Sequence, residues 1–90
     1  MNKRELVDAV AASSGIARKD ASEAVDAVFD TIAERLKSRD KVSISGFGTF
    51  EARHVAAREA RNPQTGETVP VPARYSPKFK PGKALKDTVA

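Results

Sequence analysis

The chain has 90 residues, of which 40% are hydrophobic and 31% charged, with a net charge of +4 and no cysteine. That length makes one small domain, and the lack of cysteine excludes a disulfide framework and a thiolate metal site, as expected in a reducing cytoplasm. Met1-Asn2-Lys3-Arg4-Glu5 leads straight into an amphipathic pattern, so neither a signal peptide nor a membrane span is expected.

Asn2 with Glu5 three residues on fits the reciprocal cap of a helix start. Leu6, Val7, Val10 and Ala11 follow at helical spacing, and Ser13-Ser14-Gly15 ends the segment. A second helix is expected from about Arg18 to about Ser38, with Ala21, Val25, Val28, Phe29, Ile32 and Leu36 on one buried stripe. Two helices joined by a tight Gly turn form a helical hairpin, the base of the domain over residues 1–40. A recognition-helix role for the second helix is rejected, because it is too acidic along its length to lie against phosphates. Ala17 lacks the side-chain oxygen of a good cap, and Arg39 stands where a helix C-terminus favours Gly, so a left-handed turn there would be strained.

From Lys41 the period changes to two. Val42 and Ile44 alternate with Ser43 and Ser45, and Gly46-Phe47-Gly48 makes a corner that turns the Phe47 ring inward. The chain then reads as extended from Thr49 to Arg58 and again from Thr68 to Lys80, with a turn at Asn62-Pro63-Gln64-Thr65-Gly66 between them. Pro70, Pro72 and Pro77 cannot donate to a ladder, which suits a two-stranded ribbon with open edges. Pro81-Gly82 introduces a short last helix from Lys83 to about Thr88 within residues 81–90, with Lys83 and Lys86 on one face.

The ribbon, about 53–75, holds almost nothing that could be buried: Ala56, Ala57 and Ala60 are small, and Arg53, Arg58 and Arg61 are cationic. Residues 1–40 carry seven Lys/Arg against eight Asp/Glu, whereas residues 53–90 carry eight against three. A projecting arm that closes on a polyanion explains this division better than a mobile loop does. Val25, Phe29, Ile32, Leu36, Val42, Ile44, Phe47, Phe50 and Phe79 suffice for a seam but are sparse for a monomer bearing an arm. A two-fold dimer is therefore expected.

Gly46-Phe47-Gly48-Thr49-Phe50-Glu51, the run Arg58 to Glu67, and Phe79-Lys80-Pro81-Gly82-Lys83-Ala84-Leu85-Lys86 resemble the HU family of bacterial histone-like DNA-bending proteins over essentially the whole chain. The resemblance implies an α+β fold: a helical hairpin, a three-stranded antiparallel sheet with a long β-ribbon arm, and a short C-terminal helix. It implies an intertwined homodimer, or a heterodimer with a paralogue, whose Phe29, Ile32, Leu36, Ile44, Phe47, Phe50 and Phe79 form the dimer core. It also implies binding of deformable duplex DNA in the nucleoid through the minor groove. Pro63 takes the place of the wedging tip proline, with Asn62 and Gln64 beside it. Arg53, Arg58, Arg61 and Arg74 match arm contacts, Lys80, Lys83 and Lys86 match saddle and flank contacts, and Lys3 adds to them. Departures are Val55, where many relatives carry another Arg, Pro70 in the returning strand, and no Lys/Ala-rich tail after Val89.

The phenylalanines fall at buried-face spacing and read as core, not as a base-stacking platform. His54 is the only histidine, so no metal site, cofactor or catalytic constellation is expected. Beside an architectural DNA binder stand two alternatives: a sequence-preferring subunit like integration host factor, and a small RNA-binding protein.

Overall fold

Helix α1, Lys3–Ser14, begins at an extended Asn2 whose side chain accepts a hydrogen bond from the Glu5 N–H at 2.9 Å. It ends on a left-handed Gly15 (φ 68°), whose N–H donates to the Ala11 carbonyl. Helix α2, Arg18–Lys37, carries Ala21 and Val25 into contact with Val7, and Leu6, Val10 and Ala11 pack around them. These are the features of the computed structural model, which describes residues 1–90.

The chain divides into two compact units, Met1–Glu34 and Arg35–Ala90. The division falls inside α2 and not at the change of sequence period near Lys41. The end of α2 explains the expected strain at Arg39. The Arg39 N–H donates to the Leu36 carbonyl and the Asp40 N–H to the Arg35 carbonyl, the paired bonds of a Schellman turn. That turn places Arg39 at φ 63°, the one residue other than glycine with positive φ. Such a conformation costs a non-glycine residue about 1 kcal/mol or more.

In the second unit β1 (Val42–Ile44), β2 (Gly48–Val55) and β5 (Arg74–Pro81) form an antiparallel sheet in the order β1-β2-β5. β3 (Arg58–Arg61) and β4 (Thr68–Val71) form a separate two-stranded ribbon. Helix α3, Lys83–Val89, follows Gly82. The prolines sit as the ladder demands: Pro77 lies on an edge strand and Pro70 on a ribbon strand with one partner.

The arm differs from the sequence reading in one respect. The extended runs are not continuous, because pairing stops after Val55↔Arg74 and resumes at Arg58↔Val71. The same register continues beyond the gap, so no residue is inserted. Pro72, which has no N–H to donate, lies in this interruption opposite the Ala56-Ala57 step.

Only Val7, Ala21 and Val25 are buried hydrophobic side chains. Val28 (53% exposed) and Phe29 (49%) flank an apolar groove of about 280 Å³ with Leu6, Val10, Ala24 and Val25. Within the second unit Phe79 stacks between Phe47 and Phe50, with ring centroids 5.4 and 4.7 Å away. Gly48 is buried against that stack: a Cβ there would come within 2.6 Å of the Phe79 ring and of the Lys80 carbonyl. No helix is long and apolar enough to cross a membrane.

Candidate nucleic-acid interface

Register sorts the side chains of β2 and β5 into two chemically different faces. The pairs Glu51↔Lys78, Arg53↔Ser76 and Val55↔Arg74, with Thr49↔Lys80, share one face. The pairs Phe50↔Phe79, Ala52↔Pro77 and His54↔Tyr75 share the other. One face is therefore cationic, through Arg53, Arg74, Lys78 and Lys80, and the other is apolar and aromatic. Arg53, Arg74 and Lys80 were expected from the sequence; Lys78 was missed. The alternation Arg74, Ser76, Lys78, Lys80 along one strand was sufficient to find it.

Glu51 is the one anion on that face. Its carboxylate pairs with the Lys80 ammonium at 3.1 Å. The hydrogen bond from Lys80 holds the Glu51 carboxyl below its usual value; partial burial opposes this, and the charges of Lys80, Lys41 and Lys78 reinforce it. Lys41 thus belongs to the same electrostatic field, and it too escaped the sequence reading.

A lowered folded-state value means that the pairing is complete above the unfolded carboxylate value and is lost as pH falls through the folded one. A polyanion seated on this face would have to compete with Glu51 for Lys80. Glu51→Gln should therefore tighten binding of a duplex by roughly two- to fivefold at moderate salt. The parent should gain affinity as pH falls through the depressed Glu51 range, and the difference between the parent and variant pH curves should close there. Fluorescence anisotropy across that range checks both.

The tip of the arm is a tightly bonded turn. Asn62 receives the Gly66 N–H on its carbonyl at 2.7 Å and the Gln64 N–H on its side-chain oxygen at 2.9 Å, while its own N–H donates to the Glu67 carbonyl at 2.8 Å. Gly66 takes φ 74° to close the loop. Pro63 and Gln64 stand exposed at the apex, whereas Asn62 has its side-chain oxygen committed to the turn. Arg61 Nε donates to the Gly66 carbonyl at 3.3 Å. Arg58 and Arg61 lie three residues apart on β3, and so project from opposite faces of the ribbon.

The remaining sequence-assigned residues are placed as follows. Lys83 and Lys86 lie on α3, and Lys83 forms an ion pair with Asp87 at 3.1 Å. Lys3 lies in the first unit, where its ammonium pairs with Asp26; that hydrogen bond and charge raise the Lys3 value. Of the expected dimer-core residues, Phe47 is 44% exposed, and Phe79 and Ile44 are each 37% exposed. Phe50, Ile32 and Leu36 are half-buried. The described residues hold no cluster of His, Cys, Asp and Glu that could bind a metal ion.

A family model described as "Bacterial DNA-binding protein" matches residues 1–90. The DNA-binding protein HU of Geobacillus stearothermophilus is 62% identical over 89 residues, 99% of either chain. DNA-binding protein HU 1 of Bacillus subtilis is 59% identical over 90 residues, all of this chain and 98% of the other. Among solved structures, that of Anabaena HU cocrystallised with DNA superposes with a TM-score of 0.95 at 47% identity, covering 100% of this chain and 98% of the other. Register, cationic face, arm and full-length similarity agree, and the chain belongs to the bacterial DNA-binding protein family of HU.

Proposed function

We propose that the chain is a non-enzymatic architectural protein of the nucleoid that binds duplex DNA largely without sequence preference and bends it as a dimer. The observation that carries this reading is the cationic face of Arg53, Arg74, Lys78 and Lys80, backed by an apolar face and continued toward an arm with an exposed Pro63. Phosphate neutralisation by such a face is indifferent to sequence. From the break after Val55 to the turn at Asn62 the arm spans residues 56–61, roughly 20 Å of extended chain, enough to cross a minor groove about 6 Å wide.

Arg58 and Arg61, on opposite faces of a thin ribbon, suit a narrow minor groove whose hydrogen-bond pattern is degenerate. Pro63 at the apex supplies an apolar wedge, which opens a base step at a cost of a few kcal/mol. Lys83 and Lys86 extend the cationic surface along α3. Dimerisation, with itself or with a paralogue, covers the exposed Phe29, Phe47 and Phe79. Similarity to proteins named DNA-binding protein HU, and to an HU cocrystallised with DNA, supports this role.

Pro63→Ala tests the wedge. It removes no charge, so the fold and most of the affinity should persist, while bending of an intact duplex falls. The deficit should be smaller on nicked DNA, where unstacking is already eased. Fluorescence transfer between the duplex ends, at saturating protein, separates this from a turn-only role, in which Pro63→Ala bends both duplexes as fully as the parent.

A further inference from the structure

Arg39 is held in a left-handed conformation that glycine would adopt without strain, at the turn that ends α2. Its side chain has a partner that glycine could not supply. The guanidinium carbon lies 3.6 Å from the centroid of the Tyr75 ring, and Nη1 donates to the Lys37 carbonyl at 3.0 Å. Tyr75 in turn meets His54 edge-on, with centroids 5.3 Å apart, across the sheet. The His54↔Tyr75 pair is the last but one before pairing breaks off and the arm begins. Tyr75 lies on the face opposite Arg53 and Arg74, so Arg39 is stacked behind the foot of the arm and away from the cationic face.

We propose that Arg39 is a positioning residue: its stack on Tyr75 braces the foot of the arm against the α2 turn and fixes the direction in which the arm leaves the sheet. This rests on the reading of the arm as the DNA-binding element. The interruption at Ala56-Ala57 and Pro72-Ala73 leaves the arm without ladder bonds just beyond the brace, where its direction is least constrained by the backbone. The Arg39–Tyr75–His54 column is the side-chain contact that reaches this point from outside the sheet. Arg39 acts on DNA only through Tyr75.

The test begins on the free protein, by hydrogen exchange at the amides of the paired residues that flank the interruption, His54, Val55, Arg58, Val71 and Arg74. Arg39→Gly keeps the turn geometry and removes the stack, and Tyr75→Ala removes it from the other side. Each should speed exchange at these amides by roughly two- to fivefold, the size expected for an exposed cation–π contact. Tyr75→Ala also loses the His54 contact, so the double variant should go no further than Tyr75→Ala alone, and Tyr75→Phe, which keeps the ring, should match the parent. With duplex DNA, Arg39→Gly should broaden the end-to-end distance distribution without changing the log–log salt slope, since no phosphate contact is lost.

Unchanged exchange in Arg39→Gly, or fully additive effects in the double variant, would overturn the brace. A reduced salt slope would overturn it too, by assigning Arg39 to a phosphate. A parent that fails to bind duplex would defeat the DNA reading alone, because the exchange data judge the brace without DNA.

Discussion

Phe79→Ala should leave the protein largely unfolded at low micromolar concentration. Phe79 is the middle ring of the Phe47–Phe79–Phe50 stack, and Gly48 lies so close beneath it that no other residue fits there. Truncating a packed phenylalanine costs about 3–5 kcal/mol, against a total stability of about 5–15 kcal/mol for a whole domain. In a lone chain the loss would be smaller, because the ring is 37% exposed. The full effect requires a second copy to cover it. With Val7, Ala21 and Val25 as the only buried hydrophobic side chains, a lone chain has little else to hold it folded. The parent melting temperature should accordingly rise with protein concentration, and Phe79→Ala should lower it at every concentration. A parent melting point independent of concentration, together with a mild Phe79→Ala effect, would show that the aromatic stack is sufficient within one chain.

Replacing Arg53, Arg74, Lys78 and Lys80 together by Gln should abolish most duplex binding at physiological salt while leaving the fold intact. All four side chains are exposed and share one face of β2 and β5. Each phosphate contact contributes about 0.9 to the slope of log affinity against log salt, so the variant's slope should flatten by nearly four per chain. Lys78→Gln alone should flatten it by about one, a contribution the sequence reading did not assign. Filter binding from low to moderate salt, with a melting curve as the control for folding, measures both. A slope equal to the parent's would place the phosphates elsewhere on the molecule.

Much of this was legible in the sequence because the physics involved is local. The Asn2 cap, the Gly15 stop, the strain at Arg39 and the Asn62–Gly66 turn each depend on a few adjacent residues, and each was found where expected. The period-two alternation likewise placed β1, whereas Phe47, expected to turn inward at the Gly46-Phe47-Gly48 corner, is 44% exposed and meets only the Phe79 ring. What escaped depends on pairing between distant segments. The Glu51–Lys80 ion pair follows from register, as does the opposition of Pro72 to the Ala56-Ala57 step. Lys78 was within reach of alternation alone, on the same strand face as Arg74 and Lys80. The Arg39–Tyr75 stack joins residues 36 positions apart, and no local pattern announces it.

The most direct test of architectural binding is fluorescence transfer between the ends of short duplexes of unrelated sequence, titrated with the parent protein. Non-specific arms that hold the minor groove open should shorten the end-to-end distance of every duplex, at similar protein concentrations, and further on nicked DNA at the same occupancy. Tight binding that leaves all the duplexes straight, or shortening confined to one sequence, would contradict it.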